Sequence, residues 1–276
     1  MRIDSHHHFI DYSEAEYPWI DDNHAAIRRS FFPEELKSVL DTHNMDGSVV
    51  VQARESLQET KWLIQLADQN DWIKGVVGWV DLCADDIEQQ LQELVQLSPK
   101  FKGVRHVLQG ESDDRFMLRE DFRRGISKLA PLGLTYDILI FEKHLPYAIE
   151  LVKQFPTTAF VIDHIAKPVI KEQSFAKWNE DIRKIAEYPN VCCKVSGMVT
   201  EAHWGQWKAA DFAPYLEAVY AAFGADRLMF GSDWPVCTLS GTYSEVYQLV
   251  DTFIAQLPAE DQSKIMGETC VKFYGL

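Results

Sequence analysis

Positive charge is in short supply: 27 Lys and Arg stand against 42 Asp and Glu, for a formal net charge of −15. Such a chain repels nucleic-acid backbones and anionic bilayers, so neither is expected as a partner. No stretch approaches the roughly 20 apolar residues that a membrane span needs. No basic region followed by an apolar run opens the sequence, so no secretion signal is expected and a cytoplasmic location is. Cysteine is sparse. Cys83, Cys192, Cys193, Cys237 and Cys270 are odd in number and lack CxxC spacing, which reads as reduced thiols. Adjacent Cys192 and Cys193 would face opposite sides of a strand, so they are expected neither to pair nor to share a metal. Linkers and low-complexity segments are missing. So is a glycine-rich phosphate turn after the first strand, which weakens the case for a doubly wound open sheet.

What is present is an alternation of short apolar runs with helical patterns. Strands are expected at 2–6, 47–52, 75–80, 103–107, 134–140, 159–163, 191–195 and 228–230. Most are continuously apolar, the mark of strands covered on both faces. Amphipathic helices lie between them, one opened by the capping box Ser56-Leu57-Gln58-Glu59 and another carrying Ile87, Leu91, Leu94 and Val95. Strand then helix, repeated eight times, predicts an α/β fold: one (β/α)₈ TIM barrel, a single domain over residues 1–276. The segment 9–32, rich in Tyr, Pro and Trp, reads as a long loop placed to cover the barrel mouth.

Active sites of such barrels sit at the C-terminal ends of the strands. That rule selects His6, His8, Gln52, Trp79, Arg105, His106, Asp137, His164, Lys194, Ser196, Glu201 and Asp233. His6 and His8 share a strand face and direct two imidazoles into one pocket, suited to a divalent metal or a substrate oxyanion. Taken alone, the pair is as readily a structural cap; with Asp233 beside it, the functional reading wins. Asp233, after the last strand, is ionised at neutral pH and suited to take a proton from water. His164 offers a third nitrogen ligand or a group that polarises a carbonyl, although a lone histidine is more often structural. Asp163 is suited to orient a neighbouring imidazole. Arg105 suits a carboxylate or carbonyl oxygen, against an inter-strand ion pair as the alternative. Gln52, Lys194 and Glu201 are hydrogen-bonding candidates at the mouth. Trp79, Trp204 and Trp234 offer flat faces to a sugar-like ring, though tryptophan filling loop gaps is commoner. His7 is expected to face the helices.

These residues fall in a specific set of motifs: Asp4-x-His6-x-His8-Phe9, Gly75–Leu82, Lys102–His106, Asp163-His164-x-Ala166-Lys167-Pro168, Cys193–Gly197, Thr200-Glu201-Ala202 and Phe223–Val236. Over nearly its full length the chain resembles the amidohydrolase superfamily, in its amidohydrolase-related branch, and most closely the sugar-lactonase subgroup. The resemblance implies a hydrolase opening a sugar (aldono) lactone in sugar catabolism, with a small-molecule lactone as partner and a monomer or homodimer as assembly. The site it implies is catalytic Asp233, His164, His6 and His8, with Arg105, Gln52, Glu201, Trp79 and Lys194 binding substrate. Related 2-pyrone-4,6-dicarboxylate hydrolases and metal-dependent decarboxylases of the same branch are the alternatives. Binuclear members place a lysine or glutamate after strand four and a histidine after strand five; here those ends carry Arg105-His106 and Asp137. A two-metal site is therefore not expected. One zinc held by His6, His8 and Asp233, with or without His164, and a metal-free site both stay open. A lactone carbonyl is electrophilic enough for either. His203 stands where the subgroup often has an acidic residue, which leaves ring specificity open.

Overall fold

The computed structural model describes residues 1–276. Its eight strands form one parallel sheet in chain order. They are β1 (Ile3–His7), β2 (Gly47–Val51), β3 (Ile73–Gly78), β4 (Phe101–His106), β5 (Thr135–Ile138), β6 (Phe160–Ile162), β7 (Val191–Val195) and β8 (Leu228–Phe230). β1 and the segment leaving β8 meet at the last seam. The Asp233 N–H donates to His6 O (2.8 Å) and the His8 N–H to Trp234 O (2.7 Å). Just below them, Ser5 Oγ donates to Phe230 O at 2.6 Å. The sheet therefore curls into a (β/α)₈ TIM barrel.

Eight helices surround it: α1 (Pro33–Thr42), α2 (Leu57–Gln69), α3 (Ile87–Leu97), α4 (Glu120–Ile126), α5 (Leu145–Gln154), α6 (Ala176–Ala186), α7 (Ala209–Phe223) and α8 (Tyr243–Ile254). The box at Ser56 forms, its hydroxyl accepting from the Glu59 N–H at 3.2 Å. Thr242 and Glu245 cap α8 reciprocally. No helix is long and apolar enough to cross a membrane.

Strand side chains alternate, and the alternation sorts them into two cores. Val50, Phe160, Ile162, Cys193 and Phe230 face the helices in the large outer core. Ile3, Val49, Val161, Cys192 and Met229 form a small interior cluster with Cys270 and Tyr274. The last two belong to α10 (Thr269–Tyr274), which with α9 (Ala259–Ser263) follows the barrel proper and was not foreseen. Cys192 and Cys193 do lie on opposite faces.

Above the apolar interior cluster lies a charged one. Lys194 Nζ is 2.5 Å from Asp137 Oδ2 and 3.0 Å from Asp163 Oδ1. Arg105 Nη1 is 2.9 Å from Asp163 Oδ2, and the Tyr274 hydroxyl donates to Asp137 Oδ2 at 2.8 Å. Two cations and two carboxylates are thus packed in the barrel axis, the cations opposing the penalty that burial places on the carboxylate charges. β6 is shorter than expected because Asp163, read as its last residue, opens a turn instead.

Candidate active site

The cavity at the C-terminal end of the barrel has a volume of about 210 Å³ and is lined by His8, Arg105, His164, Lys167 and Asp233, with Trp19, Ala53 and Gln109. At about 30 Å³ per water, that is space for about seven waters or one hydroxylated ring. His6 lies just beneath. Its Nε2 is 3.3 Å from His8 Nε2 and 3.8 Å from Asp233 Oδ1, while His8 Nε2 is 3.3 Å from the same carboxylate oxygen. His164 Nε2 approaches that oxygen to 3.9 Å. The four residues read as catalytic therefore converge.

Backbone strain supports the convergence. His164, Ile165, Ala166 and Lys167 all take left-handed conformations, with φ of 53, 49, 61 and 46°. At about 1–2 kcal/mol per residue, four in succession cost about 4–8 kcal/mol. Burial over-determines the turn: Ile165 and Ala166 are fully buried, and the Trp178 indole N–H donates to Ile165 O at 2.7 Å. Opposite it stands Gly197, where a Cβ would lie 2.4 Å from His164 Nδ1. The missing side chain admits the imidazole, whose Nδ1 pairs with Ser196 Oγ at 2.9 Å. Asp233 is also left-handed, at φ 59°.

Burial would raise the Asp233 carboxyl, but His164, His8 and Lys167 around it hold it below the usual carboxylate value. Burial lowers His164 to about 4 against the pull of Asp233 and Asp163, and lowers His6 well below the ordinary value. At neutral pH the site thus presents an ionised carboxylate beside the neutral imidazoles of His6 and His164.

Other expected residues sit elsewhere. Lys194 is fully buried under His6, 3.1 Å from its Nδ1, and does not reach the cavity wall. Gln52 is fully buried too, and its Oε1 accepts from Arg105 Nη2 at 2.9 Å. Arg105 lines the cavity, but its two terminal nitrogens are taken by Asp163, Gln52 and the Gln52 carbonyl. Trp79 directs its indole N–H to His106 Nδ1 at 3.2 Å and is not on the wall. Glu201 is not on the wall, and its carboxylate lies 3.9 Å from the Lys167 ammonium. His7 faces Ser48, Nε2 to Oγ 2.8 Å. Lys167, Gln109 and Trp19 are wall residues that the strand-end rule does not select.

His6, His8 and Asp233 suit one divalent metal. Ligands bound tetrahedrally at about 2.0–2.1 Å lie about 3.3–3.4 Å apart, and the three separations here are 3.3, 3.3 and 3.8 Å. His8 Nδ1 faces Val51 O at 2.8 Å, so its proton sits there and Nε2 keeps a free lone pair. Asp163 Oδ1, which Lys194 Nζ approaches to 3.0 Å, lies 3.4 Å from His6 Nδ1 on the side away from the cavity. The other His/Asp cluster, His6, Asp163 and His164, has both Arg105 and Lys194 on its carboxylate, whereas the first cluster meets Arg105 alone, 3.2 Å from His6 Nε2.

An amidohydrolase family profile matches residues 3–276. The chain belongs to the amidohydrolase family. This amidohydrolase is 38% identical to the L-fucono-1,5-lactonase of Burkholderia multivorans, over 100% of the chain and 96% of that protein. It is 32% identical to the L-fucono-1,5-lactonase of Burkholderia ambifaria, over 99% and 95%. A crystal structure of a Burkholderia multivorans amidohydrolase with bound zinc superposes with a TM-score of 0.96 at 38% identity, covering 100% of this chain and 99% of that one.

Proposed function

We propose that this amidohydrolase is a sugar-lactone hydrolase acting on a single-ring aldonolactone, a cytoplasmic enzyme of sugar catabolism whose one domain works as a monomer or homodimer. The observation that carries the reading is Asp233, an ionised carboxylate on the wall of a ring-sized cavity with three imidazoles around it. Two relatives named as L-fucono-1,5-lactonases, at 38% and 32% identity over almost their full lengths, support it.

Asp233 takes a proton from water, and the water oxygen bonds to the ring carbonyl carbon. The ring C–O bond breaks, Asp233 returns the proton to the departing ring oxygen, and the product is the open hydroxy acid. A positioned base of this kind contributes roughly 10²–10⁴ in rate. His164 and the charge of Arg105, whose terminal N–H groups are already bonded, face the carbonyl, and Glu201 receives ring hydroxyls. Zinc, when bound by His6, His8 and Asp233, supplies Lewis-acid polarisation and a lower pKa for water. Lys194 and Gln52 act from below, holding His6 and Arg105 in register.

The test is an indicator assay for acid release from L-fucono-1,5-lactone, other aldonolactones and 2-pyrone-4,6-dicarboxylate, with and without chelator, alongside metal analysis. Turnover of an aldonolactone supports the reading. Inertness toward every lactone, or carbon dioxide release from aromatic acids in its place, overturns it.

A further inference from the structure

We propose that Lys167 is the anion-binding group of this cavity: its ammonium receives the carboxylate that ring opening creates, and Glu201 is the counter-ion that keeps the grip loose. The inference rests on the lactone-hydrolase reading and goes beyond it, since it concerns how substrate and product are told apart. A lactone is neutral, whereas the hydroxy acid it becomes is ionised at neutral pH. The two differ chiefly by one negative charge at the attacked carbon, so a cation facing that carbon discriminates between them.

Two cations line the cavity, Arg105 and Lys167. Arg105 is spent, because its terminal nitrogens donate to Asp163 and to the backbone and side chain of Gln52. Lys167 is not. Glu201 Oε1 is the nearest carboxylate oxygen at 3.9 Å, beyond hydrogen-bond reach, and the Phe141 ring lies 5.7 Å from the ammonium. Its three protons remain free for a ligand. Backbone geometry points the same way. Lys167 closes the left-handed run that starts at His164, so a single strained turn brings imidazole and ammonium to one cavity wall. Glu201, 3.9 Å away, attracts the same ammonium and so competes with a bound carboxylate, which favours release of the acid.

The probes are L-fuconate and L-fucitol, which differ by a carboxylate in place of a hydroxymethyl group, titrated calorimetrically into the full chain. The wild type, Lys167→Met, Lys167→Gln, Lys167→Arg and Glu201→Gln are compared, with melting curves to establish folding. The expected result is a wild-type preference for fuconate over fucitol. Met and Gln should each weaken fuconate about ten- to hundredfold, the worth of a charge-assisted hydrogen bond, while leaving fucitol unchanged. Arg should restore it, and Glu201→Gln should tighten it. Unchanged fuconate binding in both neutral variants sinks the inference, and so does a wild type blind to the charge; lactone turnover then still upholds the enzymatic reading. A Lys167-dependent preference in a protein that opens no lactone upholds the anion site and sinks the lactonase.

Discussion

Replacing Lys194 with Met would strand a carboxylate in the barrel axis. Lys194 Nζ is 2.5 Å from Asp137 and 3.0 Å from Asp163, and all three residues are fully buried. Removing one partner of a buried ion pair costs about 3–5 kcal/mol, because the remaining charge has neither its partner nor water. Asp163 retains Arg105 at 2.9 Å, so the stranded group is Asp137, left with the Tyr274 hydroxyl. Even beside Lys194, burial and the charge of Asp163 raise Asp137 to about 6. At about 2 °C per kcal/mol for a chain of 276 residues, Lys194→Met should lower the Tm by about 6–10 °C. Adding Asp137→Asn removes the stranded charge and should recover at least half of the loss. Melting followed by tryptophan fluorescence at pH 7 reads both variants. A single variant that melts with the wild type, or a double variant no better than the single, refutes the reasoning.

Other expectations concern the site and its supports. Asp233→Asn should lower kcat by about 10²–10⁴ while the chain stays folded; near wild-type turnover removes the general-base role. His8→Ala should weaken zinc binding, read by competition with a fluorescent zinc indicator, and unchanged affinity excludes it as a ligand. Trp178→Phe removes the donor to Ile165 O and should lower Tm by about 2–6 °C, the effect of about 1–3 kcal/mol for an orphaned carbonyl. A larger drop in kcat/KM than in stability should accompany it. Glu59 bonds the Tyr17 hydroxyl and the Ala53 and Arg54 N–H groups, and burial raises it to about 7. A carboxyl with a folded pKa above its unfolded value contributes stability that is full below about 4.5 and lost as pH rises through about 7. Glu59→Gln should therefore be least stable relative to wild type at pH 5, and the gap should narrow by up to about 3 kcal/mol by pH 8. A gap independent of pH contradicts the shift.

The barrel was legible because buried parallel strands write continuous apolar runs, and eight of them separated by amphipathic patterns leave few alternatives. The meeting of His6, His8 and Asp233 was legible too, since period-two alternation fixes the first two and barrel closure the third. Depth was not. A strand-end rule cannot distinguish Arg105, on the wall, from Lys194 and Gln52, sealed below it, because ion pairing in the axis decides that. Lys167 stayed hidden for a different reason: nothing in Ile165-Ala166 advertises four left-handed residues, a conformation that packing imposes against local preference. Trp19 came into place through a loop whose path no periodicity describes.

His6, His8 and Asp233 straddle the junction of β1 and β8, so the segments that make them are far apart along the polypeptide. A barrel seven-eighths assembled has walls but no chemistry, because catalytic competence requires that long-range encounter. Rearranging the gene so that β1 follows β8 directly would make the two halves of the centre near neighbours. Recovery of activity after denaturation should then run ahead of global refolding rather than behind it.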